Sequence, residues 1–342
     1  MSKITVLTAV YNAEKYLRQC LDSLCAQTLK DIQIVCIDDC STDGSLAILE
    51  EYADRDSRIC VLRTERNAGQ AVARNLGLER ANGEYITMLD SDDWLALDAL
   101  EKAYKAVRTV EDADCAVFRL MQCYEDTGMV ELYENKTDKT VLDGEEAFRL
   151  SLDWSLHGLY IVRADIHKAY PYDTSCRLYS DDNTTRMHYL HSRKVVICDG
   201  EYFYRKYSAS MTSACTILRF DYMDANLSMK RQLEEEMSKG NLRDAEYVLD
   251  FYENHRWLNI VGAYWFFYQN RQAFTSGECA EIERRIAANL RTVETWRIRR
   301  ELKMKLGYYP FKSYTVFKRM ENFYFRLRGC VWKIKKKRGW NS

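Results

Sequence analysis

The chain carries almost no net charge, 50 Lys and Arg against 51 Asp and Glu over 342 residues, a formal −1. A protein whose main partner is nucleic acid usually shows a clear basic excess, so that class is set aside. There is no apolar run near the roughly 20 residues that cross a bilayer. Met1-Ser2-Lys3 leads straight into a strand-like run without a secretory leader, so the expectation is a cytoplasmic protein, peripheral on the inner face of the cell membrane. The 12 cysteines include no CxxC pair, and Cys20, Cys36, Cys60 and Cys198 fall on apolar faces. They read as small buried hydrophobes in a reducing compartment, not as a disulfide framework. With only 5 histidines a zinc cage is disfavoured, and His188 and His191, spaced i, i+3 with no third ligand nearby, read as structural or surface residues.

What is present begins with alternation. Ile4–Val10, Ile32–Ile37, Ile59–Leu62 and Tyr85–Leu89 are short apolar runs. Between them lie helical patterns over Ala13–Gln27, Ser45–Tyr52 and Ala71–Ala81. Continuous apolar strands separated by amphipathic helices predict an α/β fold with a mainly parallel sheet covered on both faces. Further on, Asp114–Leu120 reads as a strand, Cys123–Thr140 as a polar hairpin or loop, and Gly144–Leu152 and Asp181–His191 as helices. Lys194–Tyr204 reads as two strands around an Asp199-Gly200 turn. From about Thr216 the sequence is Glu/Arg-rich and helical, with no proline until Pro310. The divisions expected are 1–110, 111–215 and 216–342.

In such a sheet the ligand crevice lies beyond the carboxyl ends of the strands. Those ends are Thr8-Ala9-Val10-Tyr11-Asn12, Asp38-Asp39, Arg66-Asn67-Ala68-Gly69 and Asp90-Ser91-Asp92-Asp93, so polar groups collect on one edge. In extended chain Asp90 and Asp92 can face the same way, and their repulsion invites a divalent cation. Oxygen ligands suit Mg²⁺ or Mn²⁺. Equally, these acids could start the helix after Leu97 through its dipole. Asp38 and Asp39 could accept from a base or a ribose, or could cap the next helix as Ser41 or Asp43 could. Arg74 could reach a base or a diphosphate, or be a solvated helix arginine.

Taken together, Val6–Leu17, Val35–Ser45, Asn67–Gly77 and Ala81–Asp93, in this order and spacing, resemble a family 2 glycosyltransferase of the bacterial surface-polysaccharide type. The likeness is strong over 1–110, weaker to about 212 and absent beyond. It implies a GT-A fold, a Rossmann-like nucleotide-sugar-binding half over 1–110 and an acceptor-binding half over 111–215, followed by a C-terminal helical extension. It further implies an inverting transferase using a UDP-sugar and Mn²⁺ or Mg²⁺. Thr8, Tyr11, Asp39 and Arg74 would hold the nucleotide, with Glu14, Asp38 and Ser91 lining the pocket. Asp92 would hold the metal, and Asp90 the metal, ribose or sugar. Ser180-Asp181-Asp182-Asn183, followed by Phe203-Tyr204-Arg205 and Ser210-Met211-Thr212, matches the stretch that supplies the base; the resemblance assigns it to Asp182, with Asp181 as the alternative. Acids there could also serve the helix dipole. Ala9, Cys40 and Asp181 depart from the usual Pro, Gly and Glu; Cys40 stands where a glycine tolerates positive φ.

Between Lys303 and Arg338 the sequence holds 12 Lys or Arg and one acid, Glu321, interleaved with Phe317, Phe323, Phe325 and Trp332. That mixture suits an anionic membrane surface and hence a lipid-linked glycan acceptor. It also suits a helix packed on the domain; RNA binding fits the charge but no RNA-binding motif accompanies it. Two rival functions remain. A nucleotidyltransferase should show a Gly-rich basic loop after the first strand, which Thr8–Asn12 lacks, and a non-catalytic glycan-binding module should have lost carboxylates that this chain keeps.

Overall fold

The computed structural model describes residues 1–207 and 215–337, with side chains except at position 180 and over 329–337. The chain divides into two units, Met1–Ala214 and Cys215–Ser342.

The first unit opens with β1 (Ile4–Val10), α1 (Glu14–Cys25), β2 (Ile32–Asp38), α2 (Ser45–Arg55), β3 (Ile59–Arg63), α3 (Gln70–Leu78) and β4 (Tyr85–Met88). β1 pairs in parallel with both β2 and β4, and β2 with β3. All seven β1 residues but Ala9 are buried, as expected of a strand covered on both faces. On one face Leu17, Cys20, Leu21 and Leu24 of α1 and Ile48 and Leu49 of α2 join the main core. On the other, Ala71, Ala73 and Leu78 of α3 pack on Leu7, Val35 and Ile37. Gly77 permits that seat, since a Cβ there would lie 2.6 Å from Ile37 Cδ1.

The unit continues with β5 (Trp94–Leu95), α4 (Ala99–Thr109), β6 (Ala113–Tyr124), β7 (Val130–Leu132), β8 (Val141–Asp143), α5 (Gly144–Ser151), β9 (Tyr160–Arg163), α6 (Ala164–Ala169), α7 (Ser180–Leu190) and β10 (Lys194–Lys206). The sheet order is β3-β2-β1-β4-β9-β6-β10-β5, with β7 on β6 and β8 on β10. β9 runs against both β4 and β6, so β1–β4, β6 and β10 share one direction. The expected α/β fold with a mainly parallel sheet is therefore present. Because the chain winds from β1 out to β3 and returns to β4, the strand order reverses beside β1, and the carboxyl ends there are where such sheets bind ligands.

One reading needs correction. Lys194–Tyr204 is not a hairpin about Asp199-Gly200 but part of a single strand, β10, whose register with β6 jumps between Ile197 and Glu201. Gly200 lies so close to the start of α4 that a Cβ would stand 2.6 Å from the Ala99 carbonyl oxygen. The glycine therefore marks a bulge under a helix, not a reversal.

The second unit contains α8 (Asp221–Ser238), α9 (Ala245–Asn270), α10 (Ser276–Arg291), α11 (Arg300–Met304) and α12 (Tyr314–Lys337). Trp257, Ile260, Tyr264 and Phe267 of α9 meet Ile282, Ile286 and Leu290 of α10 and Phe317 and Phe325 of α12. Thr275 and Glu278 form a reciprocal capping box at the start of α10. Among the described residues no helix is long and apolar enough to cross a membrane.

Candidate active site

The end of β1 is laced to the end of β2. Asn12, at φ 50°, donates its N–H to Ser41 Oγ at 3.1 Å and accepts from the Thr42 N–H through Oδ1 at 2.8 Å. Glu14 accepts from the Gly44 N–H at 2.8 Å, so its carboxylate supports the entry to α2. Above this lacing Tyr11 stands 48% exposed, while Thr8 is buried with its hydroxyl unpartnered among the described residues.

Asp39 is almost fully buried and holds the loop after β3. It accepts from Thr64 Oγ1 at 2.7 Å, the Ala68 N–H at 3.0 Å and the Gly69 N–H at 2.8 Å. Asp38 accepts from the Ser41 N–H at 3.2 Å and faces Arg63 Nε at 3.1 Å. Cys40 keeps the left-handed backbone of a glycine position, φ 59°, and its thiol donates to the Thr64 carbonyl at 3.0 Å. The substitution thus preserves the loop at some conformational cost.

Arg74 is buried one turn into α3. One guanidinium nitrogen pairs with Asp90 Oδ1, its centre lies 5.4 Å from the ring of Tyr172, and Nε and the other terminal nitrogen have no partner among the described residues. A buried guanidinium with unused N–H groups is an unmet demand for an anion.

Asp90 to Asp93 form a tight turn, closed by the Asp93 N–H to Asp90 carbonyl bond at 3.1 Å, with Ser91 half-buried in it. Asp93 is the structural member: buried, it accepts from Tyr202 Oη at 2.9 Å and the Arg205 N–H at 2.8 Å. Arg205 also donates through Nε to the Asp92 carbonyl at 2.8 Å and lies 4.4 Å over the Tyr16 ring. The Asp92 carboxylate accepts from Tyr207 Oη at 3.1 Å. Burial first, then the charge of Asp90, lift the Asp92 carboxyl above its usual range.

Asp181 and Asp182 open α7. Burial raises Asp181, against the pull of Arg74 and with the push of Asp90. That coupling ties the start of α7 to the Arg74–Asp90 pair. Asp182 is pushed up to about 8 by burial first and by Asp181 second. Arg74 pairs with Asp90, and Asp181 feels both charges, with Asp92 in the same turn as Asp90 and Asp182 next to Asp181 in the chain; Glu14, Asp38 and Asp39 spend hydrogen bonds on the neighbouring loops. Ser210-Met211-Thr212 lies outside the described residues.

The carboxylate pair fits a hard divalent cation. It offers oxygen ligands without a thiol or imidazole, and the charge of Asp90, which after burial raises Asp92, is what a cation relieves. Among the described residues no group of three or more His, Cys, Asp or Glu is arranged to hold an ion. Substrate oxygens would have to complete the coordination.

The profile described as Glycosyl transferase family 2 matches residues 5–160. The chain is 31% identical over 247 residues to the glycosyltransferase GlyG of Streptococcus pneumoniae, covering 69% of this chain and 78% of that protein. The chain belongs to glycosyl transferase family 2. It is 46% identical over 127 residues to the glycosyltransferase GlyA of the same species, spanning only 18% of GlyA's length. A match of 42% over 105 residues to the poly(ribitol-phosphate) beta-glucosyltransferase of Bacillus spizizenii covers 17% of that protein. Among solved structures, S. aureus TarS 1-349 in complex with UDP-GlcNAc superposes with a TM-score of 0.73 at 19% identity, covering 95% of this chain and 92% of that one. The fold is thus the GT-A arrangement with its C-terminal helical region.

Sequence reasoning gave no role to Asp93, Tyr172, Tyr202 or Tyr207. Asp93 looked like a flanking acid because its partners lie over a hundred residues away. Tyr172 follows Pro171 in a stretch without periodicity, and nothing local marks it.

His188, buried, bonds Tyr160 Oη through Nδ1 at 2.7 Å and the Tyr170 carbonyl through Nε2 at 2.8 Å. It is part of the scaffold behind the site.

Proposed function

We propose that this family 2 protein is an inverting glycosyltransferase that moves a sugar from a UDP-sugar to a hydroxyl of a growing, lipid-linked glycan. What carries the reading is Arg74. It is paired to Asp90, electrostatically tied to Asp181, and holds unused N–H groups beside the crevice. A nucleoside diphosphate supplies the oxygens those groups lack.

In this reading Tyr11 covers the base, Thr8 and Asp39 line its pocket with Asp38, Glu14 and Ser91 supporting the wall, and Arg74 meets the diphosphate or ribose. Asp182 accepts the proton of the acceptor hydroxyl as its oxygen attacks the anomeric carbon. The bond from that carbon to the diphosphate oxygen breaks on the opposite side, and its electron pair leaves with UDP. A base raised into the working range suits such proton transfer. Bound through Asp92 and Asp90, Mn²⁺ or Mg²⁺ would neutralise charge on the leaving diphosphate. The acceptor being lipid-linked, the enzyme works at the cytoplasmic face of the membrane, brought there by its basic, aromatic C-terminal segment.

The test is nucleotide release from a panel of UDP-, GDP- and dTDP-sugars, with and without Mn²⁺ and acceptors. Preferential release of UDP, dependent on metal and lost in Asp92→Asn, is expected. No UDP release from any donor under any of these conditions would sink the proposal.

A further inference from the structure

Helix α12 is apolar on two sides, and only one of them is covered. Phe317, Glu321 and Phe325 point into the core of the second unit, with Phe317 5.9 Å from Trp257 and Phe325 4.4 Å from Trp265 between ring centroids. On another side Val316, Met320, Phe323 and Leu327 are 42%, 38%, 54% and 41% exposed. Their spacing of four, three and four residues puts them in one stripe of about a 60° arc. A helix that already buries one apolar stripe has no intramolecular reason to carry another.

The charges beside the stripe identify what covers it. Arg319 and Arg326, exposed and without an ion pair among the described residues, fall seven residues apart along the same flank. The only acid in α12, Glu321, is buried on the inner side. Lys318 is already committed to Glu283 at 2.8 Å. In the sequence Lys333, Lys335, Lys336, Lys337 and Arg338 follow; Arg338 lies outside the described residues. The occupant must therefore be apolar and anionic at once. A second copy docked by the same face would set arginine against arginine, which opposes that pairing.

We propose that the outward stripe of α12, Val316, Met320, Phe323 and Leu327 with Arg319 and Arg326, is a docking surface for an anionic lipid bilayer. This rests on the reading of a membrane-apposed transferase and specifies its contact. The apolar side chains enter the boundary between head groups and acyl chains while the arginines meet lipid phosphates. The helix lies in the plane of the surface and does not cross it.

The experiment is co-sedimentation of the full chain with vesicles of phosphatidylcholine alone and of phosphatidylcholine mixed equally with phosphatidylglycerol. Wild type should bind the mixed vesicles and not the neutral ones. Phe323→Asp/Leu327→Asp and Arg319→Ser/Arg326→Ser should each weaken that binding by about tenfold or more. All four positions are exposed, so circular dichroism and UDP binding should be unchanged. Equal binding to both vesicle types, no binding to either, or full binding by the two variants would overturn the proposal. So would concentration-dependent dimerisation that the Phe323/Leu327 variant abolishes. UDP binding is read separately, so loss of the transferase reading and loss of the docking surface are distinguishable.

Discussion

Asn75 and Tyr172 hold each other through two hydrogen bonds. The Tyr172 N–H donates to Asn75 Oδ1 at 2.9 Å, and Asn75 Nδ2 donates to the Tyr172 carbonyl at 2.9 Å. One residue lies on α3 next to Arg74; the other lies beneath Arg74 on the segment leading to α7. This pair therefore sets the spacing between the Arg74–Asp90 side of the crevice and the Asp181–Asp182 side.

Asn75→Ala removes both bonds, which should cost about 1–3 kcal/mol of stability. If the pair positions α7, turnover should fall about tenfold or more while the KM for the donor moves little, since small misplacements weigh on the chemical step. Steady-state kinetics on folded variant would show it. A rise in donor KM with unchanged turnover would assign Asn75 to donor binding instead.

Asp182→Asn should lower turnover by about 10²–10⁴-fold while leaving UDP affinity intact. Asp182 must be deprotonated to act, and its carboxyl is pushed up to about 8. Wild-type turnover should therefore climb as pH rises through about 8 and decline below it. A pH–rate profile flat from mildly acidic to mildly alkaline pH would remove Asp182 from the role, and Asp181→Asn would then be the variant to measure.

Arg74→Met keeps the buried aliphatic volume and deletes the guanidinium. Asp90 loses its partner, and the crevice loses its N–H groups. UDP affinity, measured by calorimetry, should drop by about tenfold or more, because hydrogen bonds to charged groups contribute about 1.5–3 kcal/mol. Unaltered affinity would place the nucleotide elsewhere.

Glu321 is 0% exposed and neither carboxylate oxygen has a partner among the described residues; burial pushes its carboxyl up to about 8. The folded state thus holds the proton more tightly than the unfolded one. The stability this confers is fully present below the ordinary carboxyl value of about 4.5 and is lost as pH rises through about 8. Calorimetric melting should show the wild type weakening over that window more steeply than Glu321→Gln, with a gap of about 3 kcal/mol near pH 7. Parallel pH dependence in the two proteins would mean that Glu321 finds a counter-charge.

How much of this was legible depended on whether the signal was local. The strands and helices of the first ninety residues were readable because each apolar run is continuous and each helix keeps one stripe. The clustering of polar residues at the strand ends followed from topology alone. Beyond β4 the sheet was harder. β9 is a short run, Tyr160–Arg163, opposed by neighbours on both sides, and nothing in four residues announces an antiparallel insertion. Gly200 looked like a turn because a bulge and a turn use the same residue, and only the Ala99 carbonyl distinguishes them. The site divides the same way. Asp90 and Asp92 stood out by spacing, but that Asp93 is the wall anchor depends on Tyr202 and Arg205, 109 and 112 positions away. The role of Glu14 at Gly44 was equally hidden, since it requires two loops to meet.

The end of β10 and the residue after it amount to a length standard. Tyr202 and Arg205 of the strand and Tyr207 just beyond it each reach the acidic turn from a set position along the chain. Substitutions there change single contacts, but inserting or deleting one residue would turn each later side chain to the opposite face of the sheet. Relatives should therefore differ freely in length across the exposed stretch between β7 and β8, and hardly at all between Glu201 and Tyr207.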